Sequence, residues 1–357
     1  MARRQRRIGL PAVKVLSVVG NRPQFVKSAP LSLALRDAGV DEVALHTGQH
    51  YDRALSQVFF DELDLVEPAY RLDLHSADPD AMGPRIRDAV EREHPDWVLV
   101  YGDTNSTLAG ARAAVAADVP LAHVEAGLRS GDLSMPEERN RIEVDRDAQL
   151  LLAPDEGSRA NLAAEKAQGR VEVVGDVMRD ALDLFTPIAL RTEPAHEKPY
   201  ALLTLHRAAN TEPERLRRLV AAIGATGWTF VFPVHPRTRR VLDEHRIELA
   251  PSIRAIEPVG YLEMLAFVAG AARVVTDSGG LQKEAYWLRV PCVTLRSTTE
   301  WTDTVRAGAN TLVDPDDLRE VAQVIERAHF PDEAPTLYGD GHAAGRIVDA
   351  LYPSRPE

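Results

Sequence analysis

The chain has 357 residues, 45% hydrophobic and 27% charged, a globular balance at a length that suits two domains of roughly 150–180 residues each. A net charge of -12 argues against a nucleic-acid partner, because phosphate backbones require clustered Lys and Arg. The single cysteine, Cys292, excludes an intrachain disulfide and reads as core packing, and no stretch reaches the ~18 apolar residues of a membrane span.

In chain order, residues 1–12, with Arg3, Arg4, Arg6 and Arg7, read as a disordered basic arm. Lys14 interrupts the only apolar segment that follows, so a signal peptide is not expected and the protein reads as cytoplasmic. A strand is expected over 13–20, a helix over 23–38, a strand over 43–46 and a helix near 53–63. Then come a helix around 85–94, a strand ending at Tyr101, a helix over 108–117 and a strand over 121–124. A helix over 137–148, strands at 150–153 and 171–174, and an intervening helix through 158–165 complete this half. The pattern resumes at 200–204 and continues through 214–223, 228–233, 261–269, 272–276, 281–288 and 290–295. Such alternation predicts parallel, doubly wound sheets. Residues 186–199 hold Pro187, Pro194 and Pro199 with several charges and read as a linker or hinge. The expected division is 13–175 and 176–340, with two doubly wound domains facing a central cleft that suits a nucleotide-linked substrate.

Three acidic residues are the leading catalytic candidates. Asp103 follows the run Trp97-Val98-Leu99-Val100, Glu125 follows Val119-Pro120-Leu121-Ala122, and Glu137 opens a helix after Met135-Pro136. The carboxyl ends of buried strands are where open α/β sheets bind ligands, and carboxylates converging there point to proton transfer. Thr276-Asp277-Ser278-Gly279-Gly280 leads from a strand into a helix, a setting in which free N–H groups favour phosphate oxygens. Asp277 or Ser278 as a simple helix cap is the plainer reading. Glu284, farther along that helix, either reaches a ribose hydroxyl or is solvated beside Lys283. Arg22 and Lys27 flank a helix start and are candidates to clamp a diphosphate, against the alternative of two surface cations. His206 and His235 each sit at a strand's carboxyl end, where an imidazole can donate to a phosphate or stabilise a leaving group; a packing role is the common alternative. No compact His/Cys/Asp set has metal spacing.

Taken together, these segments resemble the non-hydrolysing UDP-N-acetylglucosamine 2-epimerases from Val15 to about Leu351. The carriers are Gly20-Asn21-Arg22-Pro23, Thr47-Gly48-Gln49-His50, Gly102-Asp103-Thr104 and His123-Val124-Glu125-Ala126-Gly127-Leu128-Arg129. They continue with Pro136-Glu137-Glu138, His206-Arg207, Thr276-Asp277-Ser278-Gly279-Gly280 with Gln282 and Glu284, Thr299-Glu300, and Tyr338-Gly339-Asp340-Gly341. The resemblance implies two Rossmann-like domains in a glycosyltransferase-B arrangement, a last helix over 343–351 returning to the first domain, and a homodimer. It implies interconversion of UDP-N-acetylglucosamine and UDP-N-acetylmannosamine without a metal or redox cofactor. It assigns catalysis to Asp103, Glu125, Glu137, His206 and Lys27, and substrate contacts to Arg22, Arg129, Ser278, Gly279, Gly280 and Glu284, beside the candidate His235.

The chemistry is coherent. The C2 hydrogen is not α to a carbonyl, and becomes acidic only as the C1–O bond to UDP breaks. Elimination gives a 2-acetamidoglucal and UDP; protonation of the other face and re-addition of UDP complete the inversion. That calls for acid/base groups around the ring and donors for the departing diphosphate. Asp103 and Glu137 are expected near C2, with Glu125 positioning the sugar or sharing the proton work. The chain departs from the family in Gln49-His50-Tyr51-Asp52, where several relatives carry the Gln-His-Arg of an allosteric site. It departs again at Ala208-Ala209 after His206-Arg207, in the shortened loop 131–136 and at Arg146, where relatives often carry histidine. A hydrolysing epimerase, an epimerase of a modified UDP-amino sugar, a glycosyltransferase and a non-catalytic sensor are the rival readings.

Overall fold

The computed structural model describes residues 13–49, 67–74, 76–191 and 199–352. The basic arm, the helix expected at 53–63, His50-Tyr51-Asp52 and the 192–198 part of the expected linker lie outside the described residues, as does the side chain of Arg22.

Two parallel sheets organise the chain. The first holds β1 (Lys14–Val19), β2 (Asp41–His46), β3 (Tyr70–Arg71), β4 (Trp97–Tyr101), β5 (Leu121–Val124), β6 (Leu150–Ala153) and β7 (Arg170–Val173), in the order β3-β2-β1-β4-β5-β6-β7. The second holds β8 (Ala201–Thr204), β9 (Phe230–Pro233), β10 (Ile253–Ile256), β11 (Arg273–Thr276), β12 (Cys292–Thr294) and β13 (Asn310–Leu312), in the order β10-β9-β8-β11-β12-β13. Central strands such as Leu150-Leu151-Leu152-Ala153 are buried throughout, because crossover helices cover both faces of a parallel sheet. Alternation along β8 divides its side chains between two cores: Leu202 packs with Val274 and Cys292, Leu203 with Val275 and Val293. Burial pushes the Cys292 thiol up to about 12, as befits a core residue.

Each sheet reverses its strand order once, between β1 and β4 in the first and between β8 and β11 in the second. Such switch points open a crevice beyond the strands' carboxyl ends. The turns after β1 and β4 lead to Lys27 and Asp103; those after β8 and β11 lead to His206 and Asp277.

Three strands escaped the sequence reading, β3, β10 and β13. All lie toward or at sheet edges, and their mixed exposure breaks the continuous apolar run that identifies a central strand. Helices at Val177–Ala189, Pro236–Glu244, Thr302–Arg306 and Leu318–Arg327 were likewise unexpected. The helix expected from residue 85 spans Pro79–Glu93 and contains Pro84; Asp78 caps it and Pro79 occupies its first turn, where a missing N–H costs nothing.

The chain divides into two compact units, one taking residues up to Leu184 and again from Tyr338, the other Phe185–Leu337. The division therefore falls later than residue 175, inside the helix Val177–Ala189, which also runs into the stretch expected as linker. The start of that helix belongs to the first unit because the returning C-terminal segment is latched to it. Asp176 N–H donates to Tyr338 O at 3.0 Å. The Asp180 carboxylate accepts from the Ala343 and Ala344 N–H groups at 3.1 and 2.9 Å, capping the helix Ala343–Leu351. That last helix packs on the helix Arg22–Ala38, and Trp97 Nε1 donates to Leu351 O at 3.0 Å.

Candidate active site

In the first unit the turns after β4 and β5 bring Asp103, Glu125 and Lys27 together. Gly102 has φ 62°, and a Cβ there would lie 3.2 Å from Glu125 Oε2 and 3.3 Å from Lys27 Nζ. Glycine thus supplies both a left-handed turn and the space for an ion pair between Lys27 and Glu125, whose side chains are 14% and 8% exposed. Glu125 itself has φ 71°, a conformation that costs a non-glycine residue on the order of 1 kcal/mol and concentrates at functional sites. Asp103 pairs with Arg141. Burial pushes the Asp103 carboxyl up, opposed by Arg141 and Lys27 and reinforced by Glu125 and Glu137; the net shift is upward. Burial disfavours the Lys27 ammonium, but Glu125, Asp103 and Asp176 outweigh it and raise its pKa. The pocket thus holds a fixed cation beside a carboxyl with enhanced proton affinity, a suitable pairing for proton transfer.

Glu137 and its neighbour take opposite roles on the helix Pro136–Asp147. Glu138 is buried and accepts from Ser130 N–H at 3.0 Å and Gly131 N–H at 3.0 Å, fixing the preceding loop. Glu137 is exposed, and its charge acts on Asp103. Arg129, expected as a substrate contact, is held by two carboxylates. Its Nη2 lies 2.8 Å from Asp145 and 2.7 Å from Glu165, and Nε donates to Glu165 at 2.7 Å. Asp145 is buried and Glu165 exposed, and together they hold the guanidinium from two sides.

The second unit carries a separate group. His206 Nδ1 lies 2.9 Å from Asp277 Oδ1, and Asp277 also accepts from the His206 and Arg207 N–H groups at 3.1 and 3.0 Å. Asp277 is fully buried, while the His206 side chain is 39% exposed. Burial favours the protonated Asp277, yet the His206 contacts and the two N–H donors hold its carboxyl below the usual range. The carboxylate orients the ring and leaves Nε2 outward. The His235 ring lies 5.8 Å from that of His206, and its Nδ1 accepts from Arg237 N–H at 3.1 Å, capping the helix Pro236–Glu244.

Asp277 therefore orients a histidine rather than capping the next helix. Ser278 is the N-cap of Gly279–Trp287, but its hydroxyl makes no capping bond. A Cβ on Gly279 would meet Glu300 Oε1 at 2.7 Å, the far end of a side chain that would have to shift, whereas Gly280 faces open space. This glycine-lined start presents N–H donors suited to phosphate oxygens. Arg296 stands 3.1 Å from Glu300. Lys283 and Glu284 are 2% and 6% exposed, so the solvated-glutamate reading fails; Lys283 Nζ lies 3.9 Å from the Trp301 ring centroid.

Lys27, expected with Arg22 as a diphosphate clamp, is thus brought to Glu125 beside Asp103 in one unit, while His206, His235 and Ser278–Gly280 lie in the other. Arg141 was not expected, though its place four residues after Glu137 on one helical face was a signal, and Asp277 was expected only as a helix cap. Among the described residues no group of three or more His, Cys, Asp or Glu is placed to hold a metal ion.

A family model described as UDP-N-acetylglucosamine 2-epimerase matches residues 34–352. The chain is 40% identical to a UDP-N-acetylglucosamine 2-epimerase homolog of Methanococcus maripaludis, over 95% of this chain and 99% of that protein. It is 42% identical to the UDP-2,3-diacetamido-2,3-dideoxy-D-glucuronate 2-epimerase of Pseudomonas aeruginosa, again over 95% and 99%. The crystal structure of Methanocaldococcus jannaschii UDP-GlcNAc 2-epimerase in complex with UDP-GlcNAc and UDP matches with a TM-score of 0.87 at 37% identity, covering 95% of this chain and 99% of that one. Two Rossmann-like α/β units of the glycosyltransferase-B class, with Lys27, Asp103 and Glu125 at one switch point and a glycine-lined helix start at the other, agree with these likenesses: the chain belongs to the UDP-N-acetylglucosamine 2-epimerase family.

Proposed function

We propose that this protein reversibly epimerises C2 of UDP-N-acetylglucosamine to give UDP-N-acetylmannosamine. The observation that carries this reading is the cluster of Asp103, Glu125 and Lys27 around Gly102. A carboxylate takes the C2 proton as the C1–O bond breaks; the bonding pair leaves with UDP and C1=C2 forms. Protonation from the opposite face and attack of a UDP oxygen on C1 restore a nucleotide sugar with inverted C2. The raised proton affinity of Asp103 and the exposure of Glu137 beside it support these two as the proton carriers near C2. The pairing of Glu125 with Lys27 supports a role in holding the sugar. His206, braced by Asp277, and the Gly279 and Gly280 N–H groups with the Ser278 hydroxyl suit stabilisation of the departing diphosphate, with Arg22, His235 and Glu284 as further substrate contacts.

A second sugar deserves the same test, because the Pseudomonas aeruginosa relative is named for a diacetamido uronate. Proton NMR in deuterated water, with each UDP-sugar in turn, decides between them. The expected result is deuterium at C2 and a UDP-linked manno product from UDP-N-acetylglucosamine, with exchange lost in Asp103→Asn, Glu125→Gln and Glu137→Gln. Release of free sugar would instead mean hydrolysis, and near-normal exchange in all three variants would refute the carboxylate assignment. The family resemblance also supports a cytoplasmic homodimer, which sedimentation tests for the assembly. Among the described residues no helix is long and apolar enough to cross a membrane.

A further inference from the structure

The turn that carries Asp103 is held by its backbone. Three successive carbonyls each accept a hydrogen bond from a side chain of a different element. Gln24 Nε2 donates to Tyr101 O at 2.9 Å, His123 Nε2 to Gly102 O at 2.7 Å, and Asn140 Nδ2 to Asp103 O at 2.9 Å. His123 stands apart from the other two because its second nitrogen is also engaged. Nδ1 lies 2.6 Å from Asp145 Oδ1, with the two side chains 0% and 1% exposed.

The partners define the hydrogens on that ring. Gly102 O is a carbonyl and only accepts. Asp145 takes the Gly127 N–H and the Arg129 guanidinium on its other oxygen, as a carboxylate does, so it too accepts. Both ring nitrogens therefore donate. The other Asp145 oxygen accepts from Gly127 N–H at 3.0 Å and pairs with Arg129 at 2.8 Å. Asp145 lies on the helix that begins with Pro136 and Glu137. One buried ring thus ties together the turn bearing Asp103, the Glu125-Ala126-Gly127 turn and the helix bearing Glu137.

We propose that His123 is a positioning residue for the C2 proton transfer: braced by Asp145, its doubly donating ring fixes the Gly102–Asp103 turn against the two other segments that carry carboxylates. It touches no substrate. Its effect is to hold donor and acceptor at reacting distance, where a displacement near 1 Å costs about 100-fold in rate. The inference rests on the epimerase reading of the same site.

Two substitutions separate the ring's bonds. The amide nitrogen of asparagine falls near Nδ1, so His123→Asn keeps the Asp145 bond and loses the one to Gly102. The amide nitrogen of glutamine falls near Nε2, so His123→Gln keeps the bond to Gly102. We expect H123N to lower kcat about 100-fold with KM within about threefold of wild type, and H123Q to stay within about tenfold of wild-type kcat. Equal losses in both variants, a loss carried by KM, or wild-type kcat in H123N would overturn the proposal. Should H123N fail to fold, ring nitrogen NMR of the histidine-labelled wild type decides: two slowly exchanging ring N–H signals from His123 support the arrangement, and one refutes it. If the wild type itself puts no deuterium at C2 of any UDP-sugar, the functional reading falls, and the ring N–H count still judges the bonding on which the positioning role stands.

Discussion

Replacing Lys27 by methionine removes the ammonium while keeping most of the side chain's volume. Glu125, 8% exposed, then loses its ion-pair partner. Removing one member of a buried pair costs about 3–5 kcal/mol if the other stays charged. Glu125 has an escape, however: it can bind a proton, which at pH 7 costs about 3.7 kcal/mol for a carboxyl with a reference pKa near 4.3. That value is the ceiling on the destabilisation at pH 7, since Glu125 keeps its other contacts, and the ceiling falls to about 1 kcal/mol at pH 5. The sign follows from linkage. In the variant the folded state holds a proton that the unfolded chain does not, so its stability rises as pH falls from 7 toward 4.3. In the wild type the Lys27 pKa is raised from 10.5; its contribution is complete below that ordinary value and lost only as pH rises through the folded one, so it is constant between pH 5 and 7. Hydrogen exchange of the β1 and β4 amides, compared with wild type at the same pH, reads this difference. We expect exchange faster by up to about 500-fold at pH 7 and up to about fivefold at pH 5, from the same free energies. An equal ratio at both values, or less than threefold at pH 7, would refute a buried Lys27–Glu125 pair.

Asp277→Asn removes the charge that orients His206; kcat should fall at least about tenfold while the affinity for UDP, measured by calorimetry, changes less than about threefold. Asp277's folded pKa is depressed, so its contribution to stability is present above the unfolded value near 3.8 and lost as pH falls through the folded one. The N variant should therefore show a weaker loss of stability between pH 5 and 3 in thermal melts, and an unchanged acid profile would count against the charge. Gly279→Ala places a methyl group 2.7 Å from Glu300 Oε1 and should weaken UDP binding by shifting that carboxylate beside the helix start on which phosphate oxygens depend; unaltered calorimetric affinity would show that Glu300 yields without cost to the nucleotide.

Much of this site could be read in the chain because local chemistry specifies it. Val98-Leu99-Val100 and Leu150-Leu151-Leu152 have to be central strands, since only burial on both faces accommodates such runs, and a carboxylate or glycine-rich turn immediately after one lands on the binding edge. Strands β3, β10 and β13 carry no such run, and the pattern cannot announce them. Burial and partnership lie further beyond local reach. Glu137 and Glu138 are adjacent and chemically alike, yet helix rotation buries one on the Ser130–Gly131 backbone and leaves the other exposed.

Residue types and their spacing along the strands thus dictate the doubly wound architecture and the family's chemistry, because both depend on short segments. The pairing of Arg129 with Asp145 and Glu165, of Asp277 with His206 and of Asp145 with His123 depends on residues between 16 and 71 positions apart. Long-range packing chooses among several possible partners for each charge, and it does so by which pairing leaves the fewest buried charges unmatched.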